Sequence, residues 1–195
     1  MDPFLKIYQD IILDPANQDW TERGALPIYT AGKKARIALI GQAPGRRAEE
    51  HLKPWSDKSG EVLLDWLGIT KDQFYNPDII AILPIDFYFP GKGTHGDLPP
   101  RASFAEKWHS PLLALMPDIK LTLLVGSYAQ KFYLTKNNLP KYQNLTETIQ
   151  NYQSYLPNFF PLVHPSPLNF RWQSQNPWFK KEVIPALQKT ISRVL

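Results

Sequence analysis

Short apolar runs recur along the chain, with room for a helix between one run and the next. Four such runs predict buried strands, over residues 37–40, 79–83, 121–126 and 159–163. Apolar positions spaced three and four apart predict helices over residues 4–13, 60–67, 104–115, 127–134, 144–152 and 178–195. Uniformly apolar strands that alternate with helices are typical of a parallel sheet covered on both faces. The pattern predicts a three-layer α/β/α sandwich with a central four-stranded, mainly parallel sheet.

Length and composition narrow the class of protein. The 195 residues suit a single domain, 1–195, and 43% hydrophobic content is typical of a folded chain. There is no run of about 18 apolar residues to span a membrane. The first residues lack the basic start and apolar stretch of a signal peptide, so a cytoplasmic protein is expected.

The side chains that hold metals and clusters are scarce. The chain has no cysteine, which excludes disulfides, thiolate zinc sites and iron–sulfur clusters. None of the four histidines shows a metal-binding spacing. We therefore expect neither a metal nor a cofactor.

Positive charge is concentrated near the end of the sequence. The net charge is +4, and residues 164–195 carry the whole excess, with five basic residues against Glu182 alone. A local basic surface suits a polyanion such as nucleic acid. The same residues also suit a terminal helix with a solvated basic face, and charge alone does not separate these alternatives.

Two loops directly after predicted strands carry the candidate chemistry: Gly41-Gln42-Ala43-Pro44-Gly45 and His164-Pro165-Ser166-Pro167-Leu168-Asn169. Loops at the carboxyl ends of parallel strands meet at one crevice, where ligands usually bind. Glycines in the first loop permit either a simple tight turn or a close approach of N–H groups to a ligand oxygen. Prolines stiffen the second loop around His164, which is either a structural residue or a hydrogen-bond donor to a developing anion.

Further motifs stand between these loops in a fixed order. Pro54-Trp55-Ser56-Asp57-Lys58-Ser59-Gly60 follows the first loop, then Phe89-Pro90-Gly91, Asp97-Leu98-Pro99-Pro100-Arg101 and Leu123-Leu124-Val125-Gly126. With the two loops, this order resembles the uracil-DNA glycosylase superfamily from about residue 36 to residue 190. The nearest resemblance is to the bacterial and archaeal branch with G-E-A-P-G loops.

The resemblance implies roles for individual residues. Gln42 and Ala43 would supply backbone donors to the base, and Trp55 would stack on the flipped base. His164 would hydrogen-bond the carbonyl oxygen of the base and stabilise the leaving anion. The DNA-binding residues implied next to it are Ser166 on a phosphate, Leu168 as an apolar wedge, Asn169 and Arg171.

The chain also departs from its relatives. Gln42 and Ala43 stand where relatives carry a carboxylate or an asparagine, and the iron–sulfur cysteines of the nearest branch are absent. Asp57 and Asp86 are therefore the candidates for the missing catalytic carboxylate, although Asp57 also suits a helix N-cap. The aspartate at 97 is expected in a structural turn or ion pair.

The remaining histidines, at 51, 95 and 109, are expected at the surface. The favoured hypothesis is a monomeric DNA glycosylase that hydrolyses the N-glycosidic bond of a flipped uracil or another deaminated base. One alternative is a catalytically silent nucleic-acid-binding protein of the same fold. Another is a hydrolase that acts on a small nucleotide.

Overall fold

A parallel sheet of four strands forms the centre of the protein. The computed structural model describes residues 2–195, apart from the side chains of Ala102 and Leu168. The strands in chain order are β1 (Ile37–Ile40), β2 (Ile80–Ile82), β3 (Lys92–Gly93), β4 (Gly96–Asp97), β5 (Leu121–Val125) and β6 (Phe159–Leu162). The central sheet has the order β2-β1-β5-β6, with every pairing parallel, and β3 and β4 form a separate antiparallel hairpin.

Ten α-helices surround the strands in the described part of the chain. They are α1 (Pro3–Leu13), α2 (Gln18–Glu22), α3 (Arg46–His51), α4 (Lys58–Leu67), α5 (Lys71–Tyr75), α6 (Ala102–Ala114), α7 (Ser127–Lys136), α8 (Leu145–Gln150), α9 (Phe170–Gln175) and α10 (Ile184–Val194). Short 3₁₀ turns at Pro15–Asn17, Tyr152–Tyr155 and Pro167–Asn169 and a π-helical turn at Phe179–Val183 complete the set. No helix among residues 2–195 is both long and apolar enough to cross a membrane.

The side chains of β1 point alternately to the two faces of the sheet, and each face has its own core layer. Ile37 and Leu39 pack with α4, α5, α8 and α10, whereas Ala38 and Ile40 pack with α1, α6 and α7. All four side chains are fully buried because successive residues of a strand point to opposite faces of the sheet. The predicted three-layer α/β/α sandwich with its parallel sheet is confirmed.

The order of the strands determines where the site lies. Neighbouring β1 and β5 connect to opposite sides of the sheet, and such a switch point opens a crevice at the carboxyl ends of the strands. The glycine loop, residues 41–45, follows β1 at this edge. His164 lies two residues beyond the end of β6, at the same edge.

The sequence pattern did not predict four of the helices, α2, α3, α5 and α9, and the structure differs from the prediction in three further elements. The passage from 89 to 101, where no strand was predicted, contains the β3–β4 hairpin. The helix expected over 144–152 ends at Gln150 and continues as a 3₁₀ turn. The terminal helix begins with the π-helical turn at Phe179–Val183, where the buried faces of Phe179 and Val183 join the core.

Candidate active site

A cavity of about 450 Å³ opens at the carboxyl edge of the sheet. It is lined by the glycine loop, by residues 54–57, by the β3–β4 hairpin and by the loop after β6. The glycine turn, the indole of Trp55 and the imidazole of His164 therefore lie around one space. The rings of Trp55 and His164 have centroids 5.5 Å apart.

Trp55 is held in an unusual backbone conformation. Its φ of 54° lies in the left-handed region, which costs a non-glycine residue energy unless its surroundings compensate. The hydroxyl of Tyr75 donates to the carbonyl of Trp55 over 3.0 Å. A Cβ on Gly60 would lie 1.9 Å from that carbonyl oxygen, so only glycine fits there. Gly41 leaves room for the ring itself, since a Cβ on it would lie 3.1 Å from Cζ2 of Trp55.

His164 sits in a proline-stiffened loop against the start of α7. The side-chain amide of Asn169 donates to the carbonyl of His164 over 2.7 Å and holds the loop closed. Burial lowers the pKa of His164, while the negative charge of Asp57 acts in the opposite direction. The imidazole is therefore neutral at physiological pH and can donate one hydrogen bond without carrying charge.

The glycine loop presents backbone donors to the cavity. Its carbonyl groups face the other way: those of Gly41 and Gln42 accept from the N–H groups of Ile85 (2.9 Å) and Asp86 (3.2 Å). The N–H groups of Gln42 and Ala43 donate to no partner within the described chain. Both residues line the cavity, so this loop can bind an electron-rich ligand atom.

Asp57 combines the two roles that the sequence left open. It is the N-cap of α4, where its carboxylate accepts the N–H of Gly60 over 3.1 Å. It also lines the cavity and acts electrostatically on His164. The cap fixes the position of the carboxylate at the base of the cavity.

Asp86, the other candidate carboxylate, lies outside the cavity lining and is fully buried. Its two oxygens accept from Nε (2.6 Å) and Nη2 (2.8 Å) of Arg101, and the N–H of Tyr88 donates to it as well. The Arg101 guanidinium stacks 3.9 Å from the Trp20 ring and bonds the side chain of Asn17 at 2.8 Å. The carboxylate of Asp86 is thus paired with Arg101 and lines no part of the cavity, although its backbone N–H donates to the carbonyl of Gln42 over 3.2 Å.

The predicted DNA-contacting residues follow His164 in the chain, and Asn169 among them is bonded to the backbone of His164. Ser166 lines the cavity, and Arg171 is exposed in the first turn of α9. The side chain of Leu168, the predicted wedge, lies outside the described part of the chain. Phe170, which lies between Leu168 and Arg171 in the sequence, is 69% exposed, and this is unusual for a large apolar side chain.

The basic excess at the end of the chain does not gather at the cavity. Gln188 in α10 bonds the carbonyl of Asp65 near the end of α4, and the carbonyl of Leu195 accepts from Arg36 just before β1. The carboxyl-terminal half of α10, from Gln188 onward, therefore lies at the amino edge of the sheet. Lys189 and Arg193 belong to that edge, which favours the solvated-face interpretation for these two residues.

Sequence reasoning missed the hairpin as part of the site. Lys92, His95 and Asp97 of this hairpin all line the cavity. Gly93 and Gly96 flank the turn at Thr94-His95, and Gly96 has a φ of 113°, a conformation that favours glycine. A glycine on each side of a short polar turn was the available signal, but it does not show where the hairpin folds.

The three other histidines differ from one another. His51 and His95 are exposed, as expected. The prediction for His109 was wrong, since its ring is fully buried between the hydroxyl of Tyr133 (2.7 Å from Nδ1) and the carbonyl of Pro84 (2.9 Å from Nε2). Because Pro84 lines the cavity, His109 supports the cavity wall from inside the core.

No cluster of three or more histidine, aspartate or glutamate side chains lies close enough to hold a metal ion in the described portion of the molecule.

An open parallel sheet with a glycine loop, an indole and an imidazole around one crevice defines an α/β protein with a ligand site at its switch point. The family model of the uracil DNA glycosylase superfamily matches residues 27–188. Because this match covers most of the 195 residues, the chain belongs to that superfamily. The superfamily consists in general of hydrolytic glycosylases that act on DNA, and this chain has their type of fold.

Proposed function

We propose that this protein is a monofunctional DNA glycosylase, acting as a monomer on a flipped uracil or another deaminated base. The observation that carries the proposal is the meeting of Trp55, His164 and the glycine loop at one cavity. A base must leave the stack before an enzyme can reach its glycosidic bond, and a pocket of this composition suits an extruded base.

Recognition of the base would begin with Trp55. Stacking of a base on an aromatic ring contributes about 1–3 kcal/mol, and the left-handed backbone holds this indole in one orientation. The N–H groups of Gln42 and Ala43 would bind the edge of the base, since they have no partner in the described protein. Much of the binding energy then comes from groups that are already in position.

Cleavage would depend on His164. When the bond between C1′ and the base nitrogen breaks, its electron pair moves onto the base and negative charge develops on a carbonyl oxygen. A neutral imidazole N–H can stabilise that charge by a hydrogen bond, and burial keeps this imidazole neutral by lowering its pKa. Asn169 supports the role because it fixes the backbone of His164.

The rest of the second loop would hold the DNA. Ser166 would bind a phosphate next to the flipped nucleotide, and Asn169 and Arg171 would bind the adjoining backbone. Leu168 would enter the space that the base leaves, with the exposed Phe170 beside it in the sequence. Inserting an apolar group offsets part of the few kcal/mol that unstacking costs.

The experiment is an excision assay on oligonucleotides that contain uracil, hypoxanthine or xanthine, in single and double strands. We expect release of at least one of these bases, with the strand cut only after alkali. Intact strands after alkali on every substrate, from a folded protein that binds DNA, would contradict the proposal.

The silent alternative rests on one specific feature. Neither Gln42 nor Ala43 offers the carboxylate that would activate water from the glycine loop. Tight, salt-dependent DNA binding without turnover would select a binding protein. Indifference to DNA, together with thermal stabilisation by a nucleoside, would select a hydrolase of small nucleotides.

A further inference from the structure

The β3–β4 hairpin carries a carboxylate over the glycine loop. We propose that Asp97, at the end of this hairpin, is the catalytic carboxylate that activates the hydrolytic water. This inference rests on the proposed glycosylase function. Asp97 would supply the negative charge that the glycine loop lacks, although it lies more than fifty residues further along the chain.

The two oxygens of Asp97 have different surroundings. Oδ1 accepts from the ammonium of Lys92 over 2.6 Å, across the register pair of the hairpin. Oδ2 points toward the glycine loop, because a methyl group built on Gly45 would lie 3.9 Å from it. The side chain is 31% exposed, so one oxygen is held in place while water can reach the carboxylate.

Contacts within residues 91–98 hold the shape of the hairpin segment, and an ion pair just beyond it ties the segment to the core. Leu98 packs against the backbone of Gly91 and Gly93, where added Cβ atoms would lie 3.5 and 3.2 Å from its methyl groups. Its N–H also donates to the carbonyl of Gly91 over 2.9 Å. Three residues further on, Arg101 is fastened to the buried Asp86. Asp86 thus supports the position of Asp97 and stays out of the chemistry.

The competing carboxylate, Asp57, is poorly placed for this step. Among the described residues, Asp57 and Asp97 are the two carboxylates that line the cavity. Asp57 acts on His164, at the end where the leaving base gains negative charge. A second negative charge there opposes departure of the base, whereas a carboxylate near the sugar stabilises the cation that forms.

The step balances without any further reagent. The bond from C1′ to the base nitrogen breaks, and its electron pair leaves with the base, whose carbonyl oxygen accepts from His164. A water oxygen forms a bond to C1′, and one proton of that water passes to Asp97. Transfer of this proton onward to the base anion or to solvent restores the carboxylate. Nothing is oxidised or reduced.

The test compares Asp97→Asn with Asp57→Asn in single-turnover excision by the full chain. We expect Asp97→Asn to slow excision at least 100-fold while the Kd for the same DNA changes less than threefold. We expect Asp57→Asn to slow excision less than tenfold. Asp10→Asn is the matched control, since it removes an exposed, lysine-paired aspartate of α1 at the same charge difference.

Two further variants separate chemistry from structure. Lys92→Met breaks the same ion pair but keeps the carboxylate, so a loss equal to that of Asp97→Asn would overturn the inference. Asp97→Glu should recover part of the rate. Active wild type with an equally active Asp97→Asn would refute the role of Asp97 alone. Wild type that excises no base would refute the glycosylase function and the inference together.

Discussion

The cavity and the buried cluster around Arg101 use their polar groups differently. Residues 84–86 connect the two regions, since Pro84 lines the cavity and Asp86 pairs with Arg101. In the cluster, Asp86 accepts from Arg101 through both oxygens and from two backbone N–H groups. In the cavity, the N–H groups of Gln42 and Ala43 have no partner in the described protein. One region satisfies its polar groups internally, and the other leaves two backbone N–H groups of the described chain unpaired beside the cavity.

Asp86 and Asp97 differ in how far the protein already pairs their carboxylate oxygens. Position at the carboxyl end of a strand made Asp86 a reasonable candidate, yet its hydrogen-bonding capacity is filled by the protein. Asp97 follows no core strand, but one of its oxygens remains available beside the glycine loop. Removing a carboxylate that is buried and fully paired is costly to the fold, because its partners are left unpaired.

We expect the greatest loss of stability from Asp86→Ala, a substitution in the buried cluster. It leaves the partly buried guanidinium of Arg101 without its partner, so we expect the free energy of unfolding to fall by about 3–5 kcal/mol. Urea denaturation measures this change. In a double-mutant cycle, Arg101→Met should cost much less in the Asp86→Ala background. Unchanged stability with lost excision would instead return Asp86 to the chemistry.

On the cavity side, the decisive change is His164→Ala. Loss of a preorganised donor to the leaving base should lower the excision rate by about 10²–10³-fold. The melting temperature should change little, because the ring is at the cavity surface and not in the core. His51→Ala, at an exposed position of α3, is the control. Excision within threefold of wild type would contradict the role of His164.

The buried His109 tests the support beneath the cavity by its pH dependence. Burial lowers the pKa of His109 to about 4 from 6.5, so the unfolded state binds more protons between these values. Stability should be complete above pH 6.5 and fall by up to about 3 kcal/mol as the pH drops to 4. The slope of unfolding free energy against pH should be shallower in His109→Gln. Parallel curves for the two proteins would show that His109 titrates normally.

Tyr75→Phe should have a weaker effect than the other substitutions. It tests how firmly the backbone of Trp55 is held. It removes the hydroxyl that donates to the carbonyls of Pro54 and Trp55. A hydrogen bond of this kind contributes about 0.5–1.5 kcal/mol. We expect a loss of stability in that range and weaker binding of DNA with an unpaired base, measured by fluorescence of the tryptophans. Tyr152→Phe, at another partly buried ring, is the control.

Much of the fold could be read from the chain because the information is local. Each strand of the central sheet is a mainly apolar run, since both faces are covered, and the loops after β1 and β6 carry site residues. Parallel pairing then brings the ends of distant strands to one edge. For that reason Gln42 and His164 could be proposed for one site before any contact was known, whereas Trp55 was assigned through the resemblance to the superfamily.

The sequence alone therefore determined the layered architecture and the residues at the strand ends, because periodicity and loop position are properties of neighbouring residues. Tertiary structure decided the rest: that Asp86 is buried against Arg101, that His109 supports Pro84 and that the hairpin places Asp97 at the glycine loop. Each of these depends on a contact between segments far apart in the chain. Burial and pairing of a charged group follow from packing, and no local pattern encodes them.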